Sequence, residues 1–344
     1  MIIKTISREL TDNNMMTYTK AILAILVCAC GFTSPMLRAE ENLESLQKLE
    51  TKVQKVVRMG TNATVSLVSL ESGSSGSGVI VSKRGLILTA AHVTEGNETM
   101  MVIFPDGRQE KAKVLGANYT RDAAMVQIVA KGPWPFVEVG NSRKLKVGDF
   151  VVAMGHPKGY DPTRRPPVRF GRVMTKGDLD FVTTDCALIG GDSGGPLFNL
   201  RGRVVGIHSH IAPKREVNNH EGVSGFLESW NKLLDGKSWG SLGGNRRDPD
   251  RAVMGLNLKM NEEGKLLIEE IPAEGPSAKL GLLVGDQLLS IAGKKVERIE
   301  DLANIFADLL PGDKVEVRVK RNEKVLKRKV TLARIGDIYK TQRR

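Results

Sequence analysis

The chain has 344 residues, 41% of them hydrophobic, so it holds enough apolar material for folded cores and is long for a single domain. Aromatic residues make up only 5%, and 36 glycines favour many turns and short strands. The net charge of +12 would suit an anionic partner, but no nucleic-acid motif accompanies it, so we expect a solvated basic face and no nucleic-acid partner.

Residues 1–39 are typical of an export signal. Basic residues precede the apolar run 21–30, and residues 37–39 offer a cleavage site. The run is short for a bilayer span, which favours an exported, periplasmic protein, with an uncleaved membrane anchor or a lipid at Cys30 as the alternatives. After cleavage Cys186 is the only cysteine left, so no internal disulfide is expected.

Residues 40–60 carry apolar side chains at helical spacing among charges, which predicts an N-terminal amphipathic helix. Short strand-like runs separated by turn residues then occupy residues 61–234, and they predict antiparallel barrels. We divide them into two six-stranded units with a cleft between them. The predicted strands are 64–70, 78–81, 86–90, 100–104, 110–116 and 124–128, then 150–154, 168–173, 181–184, 196–199, 204–209 and 222–227.

Residues 235–251 are rich in glycine, serine and charge, which predicts a linker. Residues 252–334 then have the size of a small α+β domain, and residues 335–344 form a basic tail. In this last domain we predict strands at 255–258, 266–271, 287–292, 314–320 and 327–332, and helices at 276–280 and 299–309.

Ser193 stands among glycines in the stretch Ala-Leu-Ile-Gly-Gly-Asp-Ser-Gly-Gly-Pro-Leu, residues 187–197. A serine hydroxyl becomes a useful nucleophile when a base takes its proton and backbone N–H groups bind the oxyanion that forms. Gly191 permits the necessary bend, because glycine adopts positive φ at no steric cost. Glycine-rich turns that end in serine are common, so the assignment requires a base and a carboxylate elsewhere.

His92 and Asp122 supply that pair. Each stands at one end of an apolar strand, where a single histidine or aspartate is more often a strand-end residue than a catalytic one. Together with Ser193 they follow the order His–Asp–Ser, which is the order of the catalytic triad on double β-barrels. His92 and Asp122 fall in the first predicted barrel and Ser193 in the second, so the triad would close across the cleft.

These motifs resemble the high-temperature-requirement (HtrA/Deg) family of chymotrypsin-fold serine proteases with a C-terminal PDZ domain. The resemblance covers about residues 64–332 and rests on Thr89-Ala90-Ala91-His92-Val93, the strand that begins at Asp122, and residues 184–197. It implies Ser193 as the nucleophile, His92 as the general base and then acid, and Asp122 as the orienting carboxylate.

The same resemblance implies that the N–H groups of Gly191 and Ser193 form the oxyanion hole and that no metal or organic cofactor takes part. Asp192 differs from the asparagine that the family usually has before the serine, and Ile189-Gly190 differs from the usual asparagine-proline. Both differences lie in the predicted oxyanion loop.

The specificity pocket is predicted from related proteases. Ala187 lies six residues before the serine, at the position of the pocket floor, and Ile189, Ile211 and Phe226 are predicted walls. None of these residues is charged, so we predict cleavage after small to medium apolar side chains.

In the last domain, Met254-Gly255-Leu256 resembles a PDZ carboxylate-binding loop, and the helix 299–309 would form the opposite wall of a groove. A C-terminal peptide would bind there by adding a strand to the sheet edge. His208 and His210 suggest a metal pair, but no metal site is expected there.

Three functions stay open at this point. The first is a serine endopeptidase acting on unfolded or damaged exported polypeptides. The second is a regulatory protease that cuts one partner after its PDZ domain senses a C-terminus, and the third is a catalytically silent binding protein or holdase. The family resemblance also implies a homo-oligomer, a trimer in many relatives.

Overall fold

The computed structural model describes residues 34–71, 73–211, 218–240 and 251–338. The chain divides into two compact units, residues 1–54 and 55–344. Among the described helices, none combines the length and apolar character needed to cross a membrane. The apolar run of the predicted export signal lies outside the described residues.

Helix α1 (Ser34–Thr61) contains the predicted amphipathic helix and begins six residues before it. Its last turns belong to the larger unit, where Val56 is buried. At Gly60 the helix passes so close to the second barrel that a Cβ would lie 2.8 Å from the ring of Phe198. This glycine therefore permits a close approach that a larger residue would prevent.

The first barrel closes through six antiparallel strands. They are β1 (Thr64–Ser69), β2 (Ser75–Ile80), β3 (Leu86–Thr89), β4 (Thr99–Ile103), β5 (Gln109–Asn118) and β6 (Ala123–Ile128). Strand β1 pairs with both β2 and β4, and β6 pairs with both β3 and β5, which closes the ring. Val65, Leu67 and Ile80 are fully buried inside it. All six predicted strands are present here, and the barrel is confirmed.

The second barrel is also closed and six-stranded, in the order β10-β11-β12-β9-β8-β7. Its interior holds Val151, Ala153, Leu197 and Val205. Its strands are β7 (Phe150–Met154), β8 (Val168–Lys176), β9 (Val182–Thr184), β10 (Pro196–Asn199), β11 (Val204–Ile211) and β12 (Asn218–Gly222), and short 3-10 helices cover Ser142–Lys144 and Asp178–Asp180.

The predicted strand 222–227 is wrong. Those residues begin helix α3 (Val223–Leu234), whose buried Val223, Phe226 and Leu233 follow helical spacing. The sixth strand is instead β12, in a segment that carries histidine and glutamate. Polar residues occupy this strand because its side chains find partners inside the fold; His220, for example, is fully buried and contacts two other side chains.

Part of the segment predicted as a linker, residues 235–251, forms a strand. Strand β13 (Ser238–Trp239) pairs in parallel with β5 of the first barrel. The Ala117 N–H also donates to the Lys237 carbonyl at 3.1 Å. Residues 235–240 therefore pack on the first barrel, and residues 241–250 lie outside the described residues.

The last domain contains a sheet in the order β15-β16-β17-β19-β20. Strand β15 pairs with β16 alone in the described sheet, so its second edge is available for pairing. The elements are β14 (Ala252–Val253), β15 (Asn257–Met260), β16 (Leu266–Glu270), β17 (Gln287–Ile291), β18 (Lys294–Lys295), α4 (Ile299–Phe306), β19 (Lys314–Arg321), β20 (Lys324–Thr331), β21 (Ala333–Arg334) and α5 (Ile335–Ile338).

The predicted helix 276–280 is wrong as well. The segment is a series of turns in which Ala278 N–H bonds to the Gly275 carbonyl and Leu280 N–H to the Ser277 carbonyl. Gly281, at φ +66°, follows directly. A stretch of five residues provides too few hydrogen bonds to offset the cost of helix nucleation.

Candidate active site

Two strand ends bring His92 and Asp122 together. His92 lies in the one-turn helix α2 (Ala91–Thr94) directly after β3, and Asp122 immediately precedes β6. Strands β3 and β6 pair antiparallel, so these ends meet. His92 Nδ1 lies 2.8 Å from Asp122 Oδ2, and the His92 N–H donates to Oδ1 at 2.9 Å. Asp122 has φ +57°, a left-handed conformation that aspartate tolerates better than most residues.

This pair is shielded on the aspartate side and open on the histidine side. The Asp122 side chain is 2% exposed and that of His92 is 31% exposed. Burial lowers the pKa of His92, but the hydrogen bond to Asp122 and its negative charge outweigh burial and raise that pKa above its ordinary 6.5. The imidazole can therefore accept a proton while the Asp122 carboxylate fixes the orientation of the ring.

Ser209 completes the support of Asp122. Its hydroxyl donates to Asp122 Oδ2 at 2.5 Å, so both carboxylate oxygens have partners. Ser209 is 4% exposed, at the end of an apolar strand run. The sequence alone does not assign Ser209 a role at the site, although a serine in an apolar strand indicates a polar partner.

Ser193 lies in a loop that is fastened from several sides. The Ser77 N–H donates to the Ser193 carbonyl and the Ser77 hydroxyl to the Gly191 carbonyl, both at 2.7 Å. The Gly194 N–H donates to the carbonyl of His208 at 2.7 Å. Gly191 has φ +96°, so the predicted need for glycine in this bend is met.

The serine loop lies beside the strand that leads to His92. Gly76 lies between Val93 and the serine loop, where there is no room for a side chain. A Cβ there would lie 2.6 Å from Val93 and 3.1 Å from the Ser193 carbonyl oxygen. In the described part of the chain, the Ser193 hydroxyl makes no hydrogen bond to the His92 ring. Such bonds are often long in a free enzyme and tighten when substrate binds.

The candidate oxyanion donors of this loop are the backbone N–H groups of Gly191 and Ser193. In the described residues, the N–H groups of Asp192, Gly194 and Gly195 donate to backbone carbonyls, whereas those of Gly191 and Ser193 donate to none. Two unpaired donors next to a serine hydroxyl are what an oxyanion hole requires.

The predicted pocket residues separate into different environments. Ala187 is exposed and Ile189 is 44% exposed, so both can contact a ligand. Phe226 is completely buried in α3 and offers no surface for a pocket wall, which corrects its predicted position. Ile211 ends β11, and its side chain lies outside what the structure describes.

The two histidines of β11 lie in different environments, and the strand register is irregular between them. His208 is fully buried, with its Nδ1 atom 2.9 Å from Nδ1 of His220. Burial lowers the pKa of His220 to about 3, and burial together with His220 lowers the pKa of His208. His210 is exposed, with its ring centre 6.2 Å from that of His92. Within the described residues, no three potential metal ligands of the His, Cys, Asp and Glu types cluster together.

The predicted peptide-binding loop lies at the start of the edge strand β15. Gly255 has φ +67° and packs against Gly275, while the Met254 carbonyl accepts hydrogen bonds from Ser277 N–H at 3.1 Å and from the Ser277 hydroxyl at 2.7 Å. Leu256 packs, half-buried, against the domain core. The loop is therefore held rigidly beside a free strand edge.

Arg121, which directly precedes Asp122, contacts the last domain. Its guanidinium forms two hydrogen bonds to the Asp308 carboxylate, at 2.7 and 2.8 Å. Asp308 follows α4 closely, and Ser229 of α3 donates to it at 2.9 Å. Arg121 is 3% exposed and Asp308 8% exposed, so the pair is buried between the barrels and the last domain.

Comparisons with known proteins agree with this architecture. Residues 76–207 match the trypsin-like peptidase domain family, and residues 252–332 match the PDZ domain family. A "Probable periplasmic serine endoprotease DegP-like" from Ectopseudomonas mendocina is 34% identical over 276 residues, covering 76% of this chain and 56% of that relative. A relative with the same name from Chlamydia muridarum is 31% identical, covering 75% and 54%. The chain thus spans little more than half the length of these curated relatives.

Solved structures give the same result. The "HtrA-type protease AlgW with tripeptide" is 25% identical, with a TM-score of 0.63, and the match covers 81% of this chain and 95% of that one. The serine endoprotease from Yersinia pestis shares the fold at 24% identity and a TM-score of 0.60, covering 82% and 97%. This chain is a member of the HtrA family, in which a trypsin-like peptidase domain is followed by a PDZ domain.

Proposed function

We propose that the chain is a serine endopeptidase whose triad is Ser193, His92 and Asp122. Ser193 attacks a peptide carbonyl while His92 takes its proton and then returns it to the leaving amine. Water hydrolyses the resulting acyl-enzyme with His92 acting again as base. One arrangement supports the proposal. Asp122 holds the His92 imidazole, and in the part of the chain that the structure describes, the Gly191 and Ser193 N–H groups of the nearby serine loop donate to no backbone carbonyl.

Covalent labelling tests this function directly. The full chain is treated with a fluorophosphonate, digested and analysed by mass spectrometry. We expect one adduct, on the Ser193 hydroxyl, because only an activated serine reacts quickly with this reagent. Boiled protein serves as the control. A folded chain that stays unlabelled would support the silent binding protein instead.

The pH dependence of hydrolysis provides a second test. His92 must be neutral to act as base, and Asp122 raises its pKa. As pH falls through that pKa the imidazole gains a proton, so kcat/KM for a fluorogenic peptide should fall on the acid side with a midpoint above 6.5. Measurement from about pH 5 to pH 9 covers the transition. An acid limb centred below 6.5 contradicts the proposed role of this histidine.

The proposed substrates are exported polypeptides, especially unfolded or damaged ones, met in the periplasm. The names of the DegP-like relatives and the predicted signal in residues 1–39 support this location. Exposed Ala187 and Ile189 support cleavage after small to medium apolar residues. C-terminal peptides are proposed to add to β15, and the trimer implied by the family resemblance stays a prediction.

A regulatory protease is the second candidate, and one observation favours it. The end of the PDZ helix α4 contacts the protease domain next to its triad carboxylate, through Asp308 and Arg121. Asn304 of the same helix accepts a hydrogen bond from the Leu179 N–H. A peptide that binds between β15 and α4 would therefore press on a helix that is coupled to the catalytic side.

A further inference from the structure

Asp192 is a buried charge at the centre of the serine loop. It stands between Gly191 and Ser193, the two residues of the proposed oxyanion hole, and none of its surface is exposed. Gly155 packs so closely that a Cβ there would lie 2.6 Å from Asp192 Oδ1. A carboxylate in such a place is costly unless it is paired and hydrogen-bonded.

Arg169 provides the pairing. Its Nη1 lies 3.1 Å from Asp192 Oδ1 and its Nη2 lies 2.7 Å from Oδ2, a two-bond fork that fixes both carboxylate oxygens. The Ile189 N–H donates to Oδ2 at 3.0 Å, which closes the loop on itself. Burial raises the pKa of Asp192, while the Ile189 N–H and the Arg169 guanidinium oppose that rise.

Arg169, which forms these two hydrogen bonds, lies in a hydrogen-bonded strand of the second barrel. Arg169 lies in β8 directly opposite Ala153 of β7, within the closed second barrel. Its side chain is 18% exposed, so most of it is fixed by packing. A rotation of the Asp192 backbone would carry its carboxylate away from both guanidinium nitrogens. The same rotation would turn the Ser193 N–H, because that group lies in the peptide plane between Asp192 and Ser193. It would also disturb Gly191, which lies inside the turn that two hydrogen bonds between Ile189 and Asp192 close.

We infer that Arg169 is a positioning residue, which acts through Asp192 to hold the N–H groups of Gly191 and Ser193 in the orientation that binds an oxyanion. The inference rests on the proposed serine endopeptidase function. It also explains the unusual aspartate: an asparagine at 192 would need no cation, whereas Asp192 requires one, and Arg169 of a neighbouring strand supplies it.

The test compares four variants of the full chain in peptide hydrolysis. Arg169→Met removes the guanidinium and leaves the carboxylate buried and unpaired. Asp192→Asn removes the charge but keeps an acceptor for the Ile189 N–H. The third variant combines both changes. The matched control, Arg172→Met, alters an exposed arginine of the same strand.

Arg169→Met should lower kcat by roughly 10²-fold, the effect of losing one oxyanion donor, and leave KM within about twofold. Adding Asp192→Asn should restore kcat to within about tenfold of the wild type, since the neutral loop no longer needs a cation. Arg172→Met should keep wild-type kcat. An ion pair that only stabilises the fold would lower the melting temperature and leave kcat unchanged, which overturns the inference.

One comparison is decisive even if Arg169→Met alone fails to fold. In the Asp192→Asn background, Arg169 should be dispensable, so the double variant should match Asp192→Asn in kcat within about threefold. A further large loss there overturns the inference. A wild-type chain that fluorophosphonate does not label contradicts the proposed function and the inference together, whereas a labelled wild type with an unchanged kcat in Arg169→Met contradicts the inference alone.

Discussion

Replacing Ser193 with alanine is expected to lower kcat by about 10⁶-fold, the cost measured when a triad serine is removed from another protease. The variant loses the atom that forms the acyl-enzyme, so the imidazole of His92 has no nucleophile to activate. Its loop keeps every backbone hydrogen bond described above, because none of them uses the serine hydroxyl. Casein hydrolysis and the melting temperature, measured together, check both expectations.

A slow residual reaction is still expected from this variant. The N–H groups of Gly191 and Ala at 193 can bind the oxyanion, and such sites retain roughly 10³-fold to 10⁴-fold catalysis over water. Ser45→Ala, in the exposed part of α1, is the control and should keep wild-type activity. If the Ser193 variant retained more than about 1% of wild-type activity, another nucleophile would have to do the chemistry.

The barrels were predictable because their strands are short, apolar and separated by turn residues. The exception, β12, carries His220 and Glu221, which are buried although their sequence signal is that of a charged loop. Hydropathy alone places such residues at the surface. The first turns of α3 were likewise hard to predict. The six residues 222–227 contain too few apolar side chains to tell a short strand from the start of a helix.

The candidate triad was predictable for a different reason. Each of its members stands beside an apolar strand or within a glycine-rich turn, so local sequence marks it. Partners joined by side chains across the fold leave no such mark: Arg169 and Asp192 are 23 residues apart, and Arg121 and Asp308 are 187 apart. The sequence contains one signal for such a partner: a charged residue in a loop that is predicted to be buried requires an opposite charge close by in the fold.

Each of these two arginines forms its ion pair at a position adjacent in sequence to a residue of the proposed triad. Arg121 directly precedes Asp122, and Arg169 binds the residue directly before Ser193. In each case a guanidinium with two parallel hydrogen bonds fixes a carboxylate more firmly than a lysine would. The two halves of the proposed site are thus each held by a buried ion pair, one within the second barrel and one to the PDZ domain.

Replacing Asp308 with alanine is expected to lower the free energy of unfolding by about 3–5 kcal/mol, because it leaves the buried Arg121 without its main partner. Urea unfolding of the full chain followed by tryptophan fluorescence measures this. Trp239 is a suitable probe, since its Nε1–H donates to the Ala307 carbonyl at 2.8 Å, beside the ion pair. Glu297→Ala breaks an exposed pair with Lys295 instead and should cost less than about 1 kcal/mol.

The activity of Asp308→Ala then separates the two candidate functions. If the PDZ domain regulates the protease, loss of the Asp308 contact should change kcat and weaken the response to an added C-terminal peptide, because Arg121 directly precedes Asp122 of the proposed triad. If the PDZ domain only tethers substrate, kcat on a short peptide should equal that of Glu297→Ala. A stability loss below 1 kcal/mol would contradict the buried pairing itself, since an arginine that is 3% exposed cannot replace its carboxylate with water at little cost.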